Sequence, residues 1–186
     1  MIQNEIVFDI ESNGFIFEST KIWTICAKNL QTGERIKLNP FNDEHSKDKF
    51  VDFIFTSENP RIIGHNILGF DMFVLMNIMG LDFTVGKDTI CGRPVQFIDT
   101  FYLSMFLNPD REGHSIDYFG SQLGLAKIDW RKEAIDLGII SPSAEKGAEF
   151  LQYHPQMDVY CDRDIDVGEK TYLALKEEWN DIYRKP

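Results

Sequence analysis

Five residues in three short stretches of this chain have the types and spacing to do metal-assisted chemistry. The first stretch is Val7-Phe8-Asp9-Ile10-Glu11. Asp9 and Glu11 are two apart at the end of a buried-looking strand, so the period-2 geometry points both to one face. Like charges on one buried face repel and are costly to desolvate, and a divalent cation offsets that cost. The second stretch is Gly64-His65-Asn66-Ile67-Leu68-Gly69-Phe70-Asp71. It reads as a strand end, a polar turn and a helix opened by Asp71. Open α/β sheets place ligand groups at such strand ends. The third is Tyr160-Cys161-Asp162-Arg163-Asp164. Tyr160 and Asp164 are four apart on a helix and share a face that continues through Val167, Thr171 and Leu175. An Asp on an apolar face needs a partner or a metal.

Taken singly, each stretch has an ordinary alternative. Asp9 and Glu11 would end a strand in solvent, Asp71 would favour a helix dipole, and Tyr160 would hydrogen-bond Asp164. Taken together, the four carboxylates can converge. Carboxylates without Cys or His ligands favour hard ions, Mg²⁺ or Mn²⁺, over zinc. Two such ions roughly 4 Å apart clamp the attacking and leaving oxygens of an in-line phosphoryl displacement. The Tyr160 hydroxyl, able to donate and accept, suits orienting the attacking water.

The elements that must hold these groups follow from patterning. Strands are expected at Glu5 to Ile10, Ile22 to Lys28, Arg35 to Leu38, Arg61 to Gly64 and Pro94 to Ile98. Gln31-Thr32-Gly33-Glu34 reads as a hairpin turn. Helices are expected from Ser46, as cap, to about Phe55, from Asp71 to Met79 closed by Gly80, and from Thr100 to Phe106. Ser115 to Leu123 reads as a further helix, and the last long one starts at Pro155 and runs to about Tyr183. An early meander followed by alternating β and α predicts an α/β fold with a mixed central sheet flanked by helices. Lys127 to Lys146, with weak periodicity, is expected to be partly irregular. Residues 1–186 read as a single domain, with no linker or repeat.

Composition sets limits on function. Lys plus Arg number 19 and Asp plus Glu 30, giving a formal net charge of −11, which argues against a passive nucleic-acid binder with a basic face. No apolar run approaches the roughly 20 residues of a membrane helix. No secretory leader is visible. Cys26, Cys91 and Cys161 are too far apart for a zinc pair and odd in number, which fits reduced thiols in a cytoplasm.

The three motifs, in this order and on these elements, resemble those of the DEDD superfamily of 3′–5′ exonucleases, whose fold is ribonuclease-H-like. Tyr160 four before Asp164 resembles the DEDDy branch, which includes the proofreading domains of family A and B DNA polymerases and ribonuclease D. Ile98-Asp99-Thr100 and Gly113-His114-Ser115-Ile116-Asp117-Tyr118-Phe119-Gly120 extend the likeness to the proofreading domain of phage family A polymerases. There the chain continues into a polymerase domain, whereas here it closes at Pro186. The resemblance implies a free-standing exonuclease, a separately encoded proofreading subunit or an excised domain.

Carried over by position, the resemblance makes Asp9, Glu11, Asp71 and Asp164 the ligands of two Mg²⁺ or Mn²⁺ ions, with Asp9 bridging. It makes Tyr160 the residue that positions the hydrolytic water, with a nucleoside 5′-monophosphate as product. Ser12, Asn13, Gly14 and Phe15 would line the pocket for the terminal nucleotide. Phe15 would stack on or wedge beside the last base, the alternative being that Phe15 and Phe17 are core residues of a turn. Asn66 and Phe70 would contact the strand or orient Asp71, and His114 would line the groove. His65 reads as structural and Asp99 as the cap of the following helix. Lys127, Arg131, Lys132 and Arg163 are candidate phosphate contacts, against the ordinary reading of solvated charges.

The leading expectation is metal-dependent 3′–5′ exonucleolysis of single-stranded or frayed DNA, in proofreading or DNA processing. An RNA exonuclease like ribonuclease D is a second expectation, because the chemistry acts on the phosphate and not the sugar. A third, of another class, is a DNA-polymerase-binding subunit whose main role lies in that complex.

Overall fold

The computed structural model describes residues 4–84 and 86–183. The central sheet is built from β1 (Glu5–Ser12), β2 (Ile22–Asn29), β3 (Arg35–Leu38), β4 (Arg61–Gly64) and β8 (Gln96–Asp99), in the order β3-β2-β1-β4-β8. β1, β2 and β3 are antiparallel neighbours, and β4 and β8 continue the sheet parallel to β1. The sheet is therefore mixed, as expected. The hairpin between β2 and β3 turns at Gly33, whose φ of +75° favours glycine.

Alternation along β1 divides the core. Ile6, Phe8 and Ile10 pack with α1 (Ser46–Ile54) and α2 (Asp71–Met79), through Phe50, Phe53, Met72 and Leu75. Val7 faces the other way, toward Cys161, Ile165 and Tyr172 of the long helix α6 (Gln156–Tyr183). Asp9 and Glu11 share the Val7 face, so they point toward α6. Gly168 lets α6 lie close there: a Cβ at Gly168 would stand 3.4 Å from Val7 Cγ1.

Several boundaries differ from the sequence reading. β1 runs two residues past Ile10, and its register with β2 shifts between Glu11 and Ser12. Such an irregularity re-aims the chain beside a site. Ser46 is the first residue of α1 and not its cap: His45 holds that position, and Ser46 is buried with its hydroxyl unpartnered. The strand expected from Pro94 begins at Gln96. Before it lies a small meander, β5 (Phe83–Thr84), β6 (Thr89–Ile90) and β7 (Arg93–Pro94). The helices α3 (Thr100–Leu107) and α4 (Ile116–Gln122) follow, the latter capped by Ser115, whose hydroxyl accepts from Tyr118 N at 3.1 Å. The segment expected to be irregular contains α5 (Trp130–Asp136), capped by Asp129.

Candidate active site

The sheet's strand ends and α6 enclose a cavity of about 270 Å³ whose lining includes Asp9, Glu11, Asp71, Tyr160 and Asp164. Each residue arrives by a separate local rule. Asp9 and Glu11 come from strand alternation. Asp71 opens α2 directly after the N-cap position, Phe70. Tyr160 and Asp164 come from one helical turn of α6.

The loop that delivers Asp71 is tightly determined. A Cβ at Gly64 would collide with Ile67 and with the Phe8 carbonyl, so only glycine lets the chain leave β4 there. Asn66 takes a left-handed φ of 61°, which Asn tolerates better than most residues. Asp99 accepts the backbone N–H groups of Asn66 and Leu68, both at 2.9 Å, and of Phe101 at 3.0 Å. It is thus the α3 cap and also a clasp on the loop. Thr100 Oγ1 donates to the Gly64 carbonyl at 3.1 Å, which leaves it accepting from His65 Nδ1 at 3.0 Å. Burial, aided by Lys127, pushes the His65 imidazole down to about 4, so it is neutral near pH 7 and serves the loop.

Electrostatically the cavity is under tension. Burial, then the charge of Asp164, pushes the Asp9 carboxyl up to about 7. Burial and the neighbouring Asp9 raise Glu11 and Asp71 well above the ordinary range. Burial raises Asp164 to about 6, against the pull of Lys127. Asp71 Oδ1 and Asp164 Oδ1 are buried with no hydrogen-bond partner. Orphaned buried carboxylate oxygens beside further carboxylates are what a hard divalent cation satisfies. The donor set therefore fits the expected ions. Cys161 supports Asp9 from behind: its Sγ lies 3.5 Å from the Asp9 carbonyl and 3.8 Å from Oδ2. Burial, with the charges of Glu11 and Asp164, holds the Tyr160 phenol above its usual value, so it is a hydroxyl and not a base near neutral pH.

The residues expected to hold a terminal nucleotide divide into two groups. Asn13 is a clasp: its Oδ1 accepts from Thr20 N and Lys21 N, both at 2.9 Å, and its Nδ2 donates to Thr20 Oγ1 at 2.9 Å. Ser12 donates to the Gly14 carbonyl at 2.9 Å. These bonds close the loop after β1, and Phe15 and Phe17 project from it, 76% and 95% exposed. They are not core residues of a turn. Asn66 and Phe70 border both the carboxylate cavity and a hollow beside Phe15. His114 does not line the cavity: it pairs with Ser104 Oγ at 2.8 Å, and Ile116 takes the lining position. Arg131 is no free phosphate contact either, since it pairs with Glu149 at 2.8 Å.

Two features escaped the sequence reading. A second hollow of about 300 Å³ adjoins Glu11, with Ser12, Phe15 and Phe70 on one side and Lys146, Gly147 and Phe150 on the other. The far wall is pinned by Trp23 Nε1 on the Phe150 carbonyl at 2.7 Å and Trp130 Nε1 on the Glu149 carbonyl at 2.9 Å. Paired indole donors are invisible to local patterning. The other feature is that Lys127, read only as a possible surface contact, is enclosed in the site.

No protein-family model matches the chain, and no curated protein does. Solved structures do. Brucella melitensis NrnC bound to pGG superposes with a TM-score of 0.63 at 14% identity, over 98% of this chain and 76% of that one. The same protein has been solved with bound Mg²⁺. Escherichia coli ExoI in complex with single-stranded DNA gives a TM-score of 0.53 at 12% identity, over 99% of this chain and 43% of that one. Escherichia coli RNase D, an exoribonuclease involved in structured RNA processing, gives 0.51 at 14% identity, over 94% and 40%. The chain thus spans less than half the length of ExoI and RNase D, and most of NrnC. At these identities the likeness establishes the fold, which is the mixed, helix-flanked sheet of the ribonuclease-H-like nucleases.

Proposed function

We propose that residues 1–186 form a single 3′–5′ exonuclease domain of the DEDDy type, acting in the cytoplasm on single-stranded or frayed 3′ ends of DNA in proofreading or DNA processing. The observation that carries the reading is convergence. Four carboxylates from β1, α2 and α6 meet Tyr160 in one cavity, with two buried carboxylate oxygens left unpartnered. Asp9, Glu11, Asp71 and Asp164 would hold two Mg²⁺ or Mn²⁺ ions. When bound there, such ions would activate the attacking water and offset negative charge on the leaving 3′-oxygen. The Tyr160 hydroxyl then orients the attacking water by donating or accepting one hydrogen bond. Phe15 stacks on the terminal base, which the exposure of its ring supports. The product is a nucleoside 5′-monophosphate.

RNA is the second reading, favoured by the fold shared with RNase D over 94% of this chain. The four carboxylates and Tyr160 would act on the phosphate, so these residues carry no preference between the sugars. A net charge of −11 argues that a basic partner, such as a DNA polymerase, supplies any tight grip on nucleic acid.

The test is a 5′-labelled oligonucleotide, DNA and RNA side by side, with Mg²⁺ or Mn²⁺. Stepwise loss from the 3′ end is expected, and it should vanish with chelator or in Asp9→Ala. Undiminished activity in Asp9→Ala overturns the assignment.

A further inference from the structure

The carboxylate cavity and the hollow beside Glu11 are neighbours that share Glu11 and Phe70. Tyr160 lines the first and Phe150 lines the second. The two rings meet with centroids 6.4 Å apart and planes tilted by 55°. An aromatic pair therefore joins the residue read as orienting water to the hollow read as taking the terminal base. Both rings are half-buried and lean on one cluster that includes Trp23, Trp130 and Met157.

The backbone under Phe150 is fixed. Its carbonyl accepts from Trp23 Nε1 at 2.7 Å, and the carbonyl before it accepts from Trp130 Nε1 at 2.9 Å. Glu149, itself buried, accepts from Gly147 N at 3.0 Å and from Arg131 at 2.8 Å. What stays free is rotation of the Phe150 ring about its own side-chain bonds. The ring borders the hollow, so the room for that rotation lies there. The Tyr160 ring has a second neighbour, the Lys127 ammonium 5.1 Å from its centroid, which is tied to Asp164 at 2.6 Å. That contact belongs to the carboxylate site, whereas the Phe150 contact leads to the hollow.

We propose that Phe150 is a positioning residue that makes the rate of hydrolysis depend on the terminal base. A base seated in the hollow packs against the Phe150 ring and removes the room into which that ring can turn. The ring then holds Tyr160 in place, and the Tyr160 hydroxyl stays aimed at the attacking water. An end without a base leaves Phe150 its rotation, so Tyr160 spreads over more orientations and orients the water for a smaller share of the time. Alignment of this kind acts on rate, since a displacement of about 1 Å can cost on the order of 10²-fold. The proposal rests on the reading of the site as an exonuclease with the terminal nucleotide beside Glu11. Phe15 grips the base from the other wall, and Phe150 turns that occupancy into rate.

The test compares two 5′-labelled oligonucleotides that differ only at the 3′ end, one closing on an ordinary nucleotide and the other on a stable abasic residue. The rate of the first cleavage at saturating enzyme is read apart from affinity. In wild type the abasic end should slow that step about tenfold, within the range set by loss of the tyrosine's own hydrogen bond. Phe150→Ala should slow the ordinary end by a similar factor and cleave the abasic end within about twofold of it, because groups that act through one another are non-additive. Tyr160→Phe should lose the base dependence too, as no hydroxyl is left to aim. Phe150→Leu, which restores most of the bulk, should recover most of that dependence, and thermal melts report whether each variant folds. Equal first-cleavage rates of wild type on the two ends overturn the proposal without recourse to any variant. A folded Phe150→Ala that still loses as much as wild type on the abasic end overturns it as well. If wild type shortens neither strand, the exonuclease reading falls and takes the proposal with it.

Discussion

Asp99 Oδ1 lies 2.9 Å from the backbone N–H of Asn66, and this bond fastens the strand at the sheet's edge to the loop that carries Asp71. The same carboxylate holds Leu68 N and Phe101 N. Asp99 is buried among these donors and lies outside the cavity lining, so its part is to position. In Asp99→Ala three backbone donors lose their acceptor. With about 1–3 kcal/mol for each buried donor left unmade, partly recovered by water, the expected loss of stability is about 2–4 kcal/mol. For a chain of this length that lowers the melting temperature by roughly 5–15 °C. Asp99→Asn, which keeps one accepting oxygen, should lose less. In the folded fraction kcat should fall because Asp71 is displaced, and KM should rise with it because Asn66 and Phe70 of the same loop border the hollow beside Phe15. Steady-state kinetics beside thermal melts check this, and wild-type kcat in Asp99→Ala overturns it.

The carboxylate cluster makes a prediction about stability and pH. Asp9 and Asp164 titrate at about 7 and about 6 in the fold, above the model-compound value of 3.8. The folded state therefore binds more protons than the unfolded state between about pH 4 and 7, and unfolding free energy falls as pH rises through that window. Metal-free protein should melt lower at pH 7.5 than at pH 5.5. Asp9→Asn removes a charge from the cluster, so it should raise the metal-free melting temperature at pH 7.5 by several degrees, at roughly 2–4 °C per kcal/mol. It should leave the value at pH 5.5 nearly unchanged while abolishing activity. Chelated samples melted at the two pH values decide it, and a variant less stable than wild type at pH 7.5 contradicts it.

How legible the molecule is in its sequence depends on the range of the interactions concerned. Asp9, Glu11, Tyr160 and Asp164 are legible because strand and helix periodicity alone fix which face they occupy. Asp71 is legible because Gly64 and Gly80 bracket a short strand-to-helix unit. The strands β5, β6 and β7 are two residues each, too short for alternation to register. α5 is hidden because its seven residues bury only Trp130 and Ala134 and lean on Trp23 and Met157 from distant elements. Lys127 is the instructive miss. A lysine's burial is decided by which carboxylate waits for it, here one 37 positions later, and no local pattern encodes that.

The hollow beside Glu11 makes a prediction about binding. Phe15 and Phe17 are both strongly exposed, but only Phe15 borders that hollow together with Phe150 and Lys146. Loss of base stacking costs about 1–3 kcal/mol per base. Phe15→Ala should therefore raise KM for an oligonucleotide by roughly 5- to 150-fold with kcat within a few-fold, by the same energy scale. Neither Phe15→Ala nor Phe17→Ala should lower the melting temperature, since both rings are outside the core. Phe17→Ala should change KM less. Equal effects of the two substitutions, or a loss in kcat alone, would show that the Phe15 ring does not grip the terminal base.

Tyr160 offers the sharpest separation between orienting a water and holding a metal. Its hydroxyl remains protonated near neutral pH, because burial and the charges of Glu11 and Asp164 raise it. It therefore contributes one hydrogen bond and no proton transfer of its own. Tyr160→Phe removes that bond and leaves all four carboxylates in place. Its kcat should drop about 10- to 100-fold, equivalent to about 1.4–2.7 kcal/mol in the barrier. Asp9→Ala and Asp164→Ala, which remove charge from the metal-binding set, should fall to background. Mn²⁺ affinity in Tyr160→Phe should stay within about threefold of wild type, since no ligand is lost. The pH profile of kcat should keep its shape, as no titrating group has been deleted. A Tyr160→Phe variant that binds Mn²⁺ more than tenfold more weakly, or whose pH profile loses a limb, would move Tyr160 from water orientation to a role in metal binding or proton transfer.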